Sequence, residues 1–173
     1  MRPADYLSFY AENFPAVEVD STFYACPPVQ TVSNWAARTP EGFTFTVKVP
    51  QSVTHEKALA ECDAELTEFL KTMDVLGSKL GPIVFQFPFF NRSAFQDRHD
   101  FFDRLVRFLR KLPAGYKFAI EIRNRNWLDA EFAGLLRDRL IALVLQDPSW
   151  MPNPAELSAA SLRGFVNLSG MST

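Results

Sequence analysis

Five runs, at residues 15–20, 43–49, 82–88, 116–123 and 139–146, alternate their side chains with a period of two. A segment of helical spacing precedes or follows each run, so the chain reads as strand then helix throughout. One phase of these runs is large and apolar: Val17 and Val19; Phe43, Phe45 and Val47; Ile83, Phe85 and Phe87; Phe118, Ile120 and Ile122; Ile141, Leu143 and Leu145. The other phase begins small or apolar and turns polar toward the carboxyl end: Ala16, Glu18, Asp20; Thr44, Thr46, Lys48; Val84, Gln86; Ala119, Glu121, Arg123; Ala142, Val144, Gln146. Strand–helix alternation implies parallel strands joined by right-handed crossovers. A doubly wound open sheet buries both faces and would be apolar in both phases. One narrow interior with a wet, polar mouth fits a barrel. The expected fold is therefore α/β, a partial TIM-like (β/α) barrel with about five to six parallel strands.

The helices are expected near 3–14, 28–38, 63–77, 93–112 and 126–138. Ser93-Ala-Phe-Gln96 fits a capping box for the fourth, and Asn126 can cap the fifth. Residues 21–28 and 50–62 are expected as loops, and a short helix is expected after Pro154. No low-complexity stretch or linker divides the 173 residues. The expected organisation is an incomplete barrel domain over residues 1–157 and a divergent tail over 158–173. The chain opens on a helix rather than a strand, and a full barrel takes about 250 residues. An incomplete barrel leaves strand edges open, which predicts self-association through those edges.

Composition narrows the function classes. A net charge of −2 gives no basic excess for nucleic acid. No apolar run approaches the roughly 20 residues of a membrane span, and the start lacks a signal-peptide core. Cys26 and Cys62 form no metal or redox motif and read as thiols in the cytoplasm. The two histidines, His55 and His99, sit on no strand end, so neither a metal site nor a cofactor is expected. Ser21 has no nucleophile-elbow context, and Walker and dinucleotide fingerprints are absent.

The mouth-facing phase supplies the candidate site. Glu18 and Glu121 are the acid/base candidates. Lys48 and Arg123 would anchor an anion or polarise a carbonyl. Asp20 and Gln86 would orient a ligand, His55 would gate the mouth from its loop, and Asp147 adds a further carboxylate. Phe23, Tyr24 and Trp127 offer faces on which a ligand could stack, or simply pack their loops; Tyr24 stands as a ligand-binding candidate.

The segment Glu18-x-Asp20-Ser-Thr-Phe-Tyr24 resembles a marker of the DUF72 (YecE-like) family. Further matching segments occur in order: Trp35-Ala-x-Arg38-Thr-Pro, Phe43-x-Phe-x-Val-Lys48-x-Pro50, Thr54-His55, Leu80-Gly-Pro-x-x-Phe85-Gln86-Phe-Pro88, Ala119-x-Glu121-x-Arg123 with Trp127, and Gln146-Asp147. The resemblance implies a TIM-like barrel of unassigned activity. Against the family pattern, an opening Gly-Thr-Ser-Gly-type strand and a late Tyr-x-Arg-x-His-Gly strand are missing. Two functions stay open. One is a small-molecule site with hydrolase or isomerase chemistry on a polar or anionic substrate. The other is a non-catalytic remnant or interaction module whose mouth charges are structural.

Overall fold

The computed structural model describes residues 5–146. Its strands are β1 (Ala16–Val19), β2 (Thr44–Lys48), β3 (Leu80–Gln86), β4 (Phe118–Glu121) and β5 (Ala142–Leu143). They form one five-stranded sheet in sequential order, every neighbouring pair parallel. Helix α1 (Tyr6–Asn13) leads into β1. A single helical turn, α2 (Ser21–Tyr24), and then α3 (Val29–Ala37) link β1 to β2. Helix α4 (Asp63–Met73) and a 3-10 turn (Asp74–Lys79) lead to β3; α5 (Arg98–Leu109) leads to β4 and α6 (Ala130–Arg137) to β5. Sequential parallel strands with intervening helices are the winding of a (β/α) barrel wall. Among the described residues β1 pairs only with β2 and β5 only with β4, so the wall is an open arc.

The two side-chain phases keep their faces across the whole arc. Glu18 lies opposite Thr46, Lys48 opposite Val84, Gln86 opposite Glu121, and Ala119 opposite both Val84 and Ala142. The large apolar phase packs under the helices. Phe43, Phe45, Val47, Ile83, Phe85, Phe87, Ile120 and Ile122 are almost wholly buried there, against Leu66, Phe69, Leu70, Met73 and Leu76 from α4 and its adjoining turn. Burying each such side chain contributes roughly 1.5–3 kcal/mol. Beyond β3 and β4 the phenylalanines gather around Trp127. Phe101 stacks on its indole at 5.0 Å, and Phe90 lies 4.9 Å from Phe95 and 5.4 Å from Phe101.

One irregularity sits at the start of β3. Phe45 faces Leu80 but Val47 faces Ile83, so β3 carries one residue more than β2 across that span. Gly81 and Pro82 form this bulge. It admits a proline, which cannot donate to the ladder, into an inner strand. A Cβ on Gly81 would sit 2.4 Å from Thr44 Cγ2 and 3.0 Å from the Phe45 carbonyl oxygen. Just before it, Lys79 Nζ donates to the carbonyl oxygens of Ala36 and Thr39 at 2.6 and 2.7 Å, capping the end of α3.

Several local features depart from the sequence reading. Helix α5 begins later than Ser93: Asp97 is its cap, accepting from the N–H groups of His99 and Asp100 at 2.7 and 3.2 Å. Asn91 instead gathers the N–H groups of Ser93 and Ala94, and the turn drives Phe95 into the aromatic cluster. Likewise Asp129, not Asn126, caps α6, because residues 125–127 make a 3-10 turn that swings Trp127 inward. The expected loop after β1 contains the α2 turn, and the loop after β2 contains a π-helical turn, Ser52–Glu56. Tyr6 and Phe14 of the first helical stretch, and Val29 at the start of α3, are exposed. The expected helix after Pro154 and the tail over 158–173 lie outside the described residues.

Candidate functional site

The carboxyl ends of the strands bring most of the sequence-predicted residues together. Glu18 ends near Lys48 because their strands are neighbours and share a face. Lys48 Nζ lies 3.0 Å from Glu18 Oε1 and 2.5 Å from Asp20 Oδ1, and its side chain is only 14% exposed. Burial pulls the Lys48 ammonium toward a lower pKa, but the hydrogen bonds to Asp20 and Glu18 outweigh it and hold the value above the ordinary one. The backbone is fastened at the same point. Lys48 N–H donates to Thr22 Oγ1 at 3.0 Å, and the Thr22 hydroxyl donates to the Val19 carbonyl at 2.9 Å. Thr22 is fully buried and docks α2 onto the end of β2. Sequence reasoning misses it, since a loop threonine carries no signal of the strand it will meet.

Glu121 is the buried carboxylate of the mouth. It ends β4 opposite Gln86, itself buried. Gln146 Nε2 donates to Glu121 Oε1, and Arg123 Nε lies 3.6 Å from the same oxygen. Burial raises the Glu121 pKa above the usual carboxylate value. The charges of Arg123 and Lys48 oppose that rise, and Glu18 adds to it. Arg123 stands two residues further along and is 42% exposed at the rim. Gln146 is the last mouth-phase residue of the fifth run, which is the signal that could have marked it as a site residue. Its Oε1 is buried with no hydrogen-bond partner among the described residues.

His55 comes over from the π-helical turn after β2. Its Nδ1 is 2.9 Å from Thr54 Oγ1, and its ring meets the Phe23 ring edge-on at 4.9 Å. Burial lowers its pKa, and the Arg123 charge lowers it further. The chain leaves this turn through left-handed backbone at Ala58, Leu59 and Glu61, with φ of 44, 69 and 47°. Such conformations cost energy in residues with a Cβ, and persist where packing over-determines the loop. Tyr24 stands at the rim, 72% exposed and edge-on to Phe23 at 5.4 Å. Trp127 belongs to the core instead of the mouth. Asp147 lies outside the described residues. Asn124, unremarked in the sequence, holds Phe90 with paired hydrogen bonds and so fixes the loop after β3 beside the site.

Two surface clefts lie away from this cluster. One, of about 310 Å3, is at the amino ends of β3 and β4 beside Asp74, Gly81 and Tyr116; the other, of about 450 Å3, is between α4 and α5. The mouth is the stronger site on chemistry, because it combines a buried carboxyl with neighbouring cations, carboxylates and an amide oxygen that has no partner among the described residues. Among the described residues no three His, Cys, Asp or Glu side chains form a group that could hold a metal ion. Among them, too, no helix is long and apolar enough to cross a membrane.

The arc, its phases and its mouth agree with what the chain resembles. The family model "Protein of unknown function DUF72" matches residues 1–167. The UPF0759 protein YecE of Escherichia coli K12 is 34% identical over 118 residues, covering 68% of this chain and 41% of that protein. The UPF0759 protein YunF of Bacillus subtilis 168 is 32% identical over 138 residues, covering 73% and 45%. The chain thus spans less than half the length of these relatives. A crystal structure of a DUF72 family protein from Enterococcus faecalis V583 superposes with a TM-score of 0.65 at 27% identity, over 87% of this chain and 63% of that one. The chain belongs to the DUF72 family.

Proposed function

We propose that the carboxyl-terminal mouth is a small-molecule catalytic site in which Glu121 and Glu18 move protons. The chemistry is hydrolytic or isomerising, on a polar or anionic substrate. The observation that carries this reading is the unlike housing of two neighbouring carboxyl groups. Glu121 is buried, receives Gln146, and has its pKa pushed up; Glu18 sits against the Lys48 ammonium at 3.0 Å. Burial favours the protonated acid at Glu121, while Glu18 lies in contact with a cation, the Lys48 ammonium. That is the division of labour a general acid and a general base require. His55, edge-on to Phe23, closes one side of the mouth, and Gln86 beside Glu121 orients the bound molecule. The setting is the reducing cytoplasm, where Cys26 and Cys62 remain free thiols.

The second reading is a non-catalytic module, and Lys48 favours it. With Asp20 and Glu18 both on its ammonium, Lys48 straps the end of β1 to β2. A panel of glycosides, esters and aldose–ketose pairs separates the two. Glu121→Gln should lower turnover of the accepted class by about 10²–10⁴-fold without lowering the melting temperature. Turnover that survives this change undiminished refutes the catalytic reading. If Lys48→Ala and Glu121→Ala only lower the melting temperature and no binding is lost selectively, the charges are structural.

A further inference from the structure

We infer that the mouth takes a hydroxylated monocarboxylate, of the sugar-acid type, with its carboxylate on Arg123 and a hydroxyl donating to Gln146 Oε1. This deepens the reading of the mouth as a small-molecule site and rests on it. The cations of the mouth are not equivalent. Lys48 is 14% exposed and already holds two carboxylates at 3.0 and 2.5 Å, so its single charge is already more than balanced. Arg123 is 42% exposed, and its pairing with Glu121, at 3.6 Å, is the loosest of the mouth ion pairs. A planar guanidinium at the rim receives a carboxylate through two parallel hydrogen bonds. Arg123 is therefore the anchor.

The second contact comes from Gln146. Its Nε2 is engaged by Glu121, while its Oε1 is buried and accepts nothing among the described residues. A buried acceptor without a donor is costly and marks a place where a donor belongs. A ligand hydroxyl supplies one, whereas a second carboxylate oxygen would be repelled.

The charge count then limits the ligand to one negative charge. Glu18, Asp20 and Glu121 face Lys48 and Arg123, leaving the mouth one charge negative when all are ionised. A dianion would deepen that excess to three. A monoanion deepens it to two, and it draws Arg123 off Glu121. The groups facing Glu121 are then Lys48 from β2, Glu18 from β1, Gln146 after β5, and the displaced Arg123 of its own strand. Losing the nearer cation favours protonation of Glu121, so one proton enters with the ligand and restores the original balance. Binding thus raises further the protonated share of the group proposed as general acid.

The test uses the full 173-residue chain, 15N-labelled, titrated with gluconate, glucose, acetate and inorganic phosphate. Gluconate should shift the amides of Gln86, Glu121 and Arg123 and bind on the order of tenfold or more tightly than glucose or acetate. Arg123→Gln should reduce gluconate to the level of glucose, and Gln146→Met should reduce it to that of acetate. Calorimetry in buffers of different ionisation enthalpy should show proton uptake that Glu121→Gln abolishes. Equal mouth shifts from glucose and gluconate, or tighter binding of phosphate, overturn the ligand class and leave the mouth reading standing. If no probe moves any mouth amide, both fall.

Discussion

Replacing Asn124 by alanine removes both hydrogen bonds that hold Phe90. Asn124 Oδ1 accepts from the Phe90 N–H and Asn124 Nδ2 donates to the Phe90 carbonyl, each at 2.9 Å. Asn124 is 3% exposed and Phe90 6%, so solvent does not reach the groups left behind. Each orphaned buried backbone group costs about 1–3 kcal/mol, and two cost about 2–6 kcal/mol. Against a total stability of about 5–15 kcal/mol this is a large loss. Asn124→Asp separates the two bonds. Its carboxylate still accepts from the Phe90 N–H but turns a second oxygen toward the Phe90 carbonyl. It should therefore be the worse variant at neutral pH and recover in acid, where a protonated carboxyl donates again. Urea unfolding of both variants, with amide exchange monitored at Phe90, measures the effect. A loss under about 1 kcal/mol with the Phe90 amide still protected would refute the reasoning.

Two further changes probe the wall and the mouth. Gly81→Ala places a methyl 2.4 Å from Thr44 Cγ2 and 3.0 Å from the Phe45 carbonyl oxygen, and should cost about 1–3 kcal/mol by denaturant melting. Adding Thr44→Ser should recover part of it, and full stability in the single variant would disprove the close approach. Folded Glu121 titrates above the ordinary carboxylate value, so the folded state holds this proton longer than the unfolded one. Its contribution to stability falls as pH rises from the unfolded value through the folded one. Glu121→Gln should flatten that part of the pH–stability curve and be the more stable chain at neutral pH. A curve unchanged by the substitution would show that Glu121 is not the group titrating there.

The strands were legible because period-two alternation survives translation into pairing. The phase containing Lys48, Val84, Ala119 and Ala142 meets itself across three strand boundaries. Glu18, Asp20, Lys48, Glu121 and Arg123 all came from that phase. That Lys48 would be occupied by both Glu18 and Asp20 needs the order of the strands and the tilt of their ends, which no window of sequence contains. Helix starts failed for a related reason. Ser93 and Asn126 are good local caps, yet burying Phe95 and Trp127 commits their segments to turns, and Asp97 and Asp129 take over. Asn124 was opaque because an amide's value lies in a partner from another strand or loop, and composition does not announce that partner.

The bulge at Gly81 and Pro82 makes the wall tolerant of a change in chain length. β3 already spends an extra residue against β2 there, so losing one residue at this point straightens the ladder without rotating the rest of the strand. Lys79 upstream would keep its hold on the end of α3, and Gln86 downstream would stay opposite Glu121. A one-residue slip anywhere later in β3 would instead carry Gln86 to the helix side. The mouth is thereby insulated from the loss of one residue at this bulge.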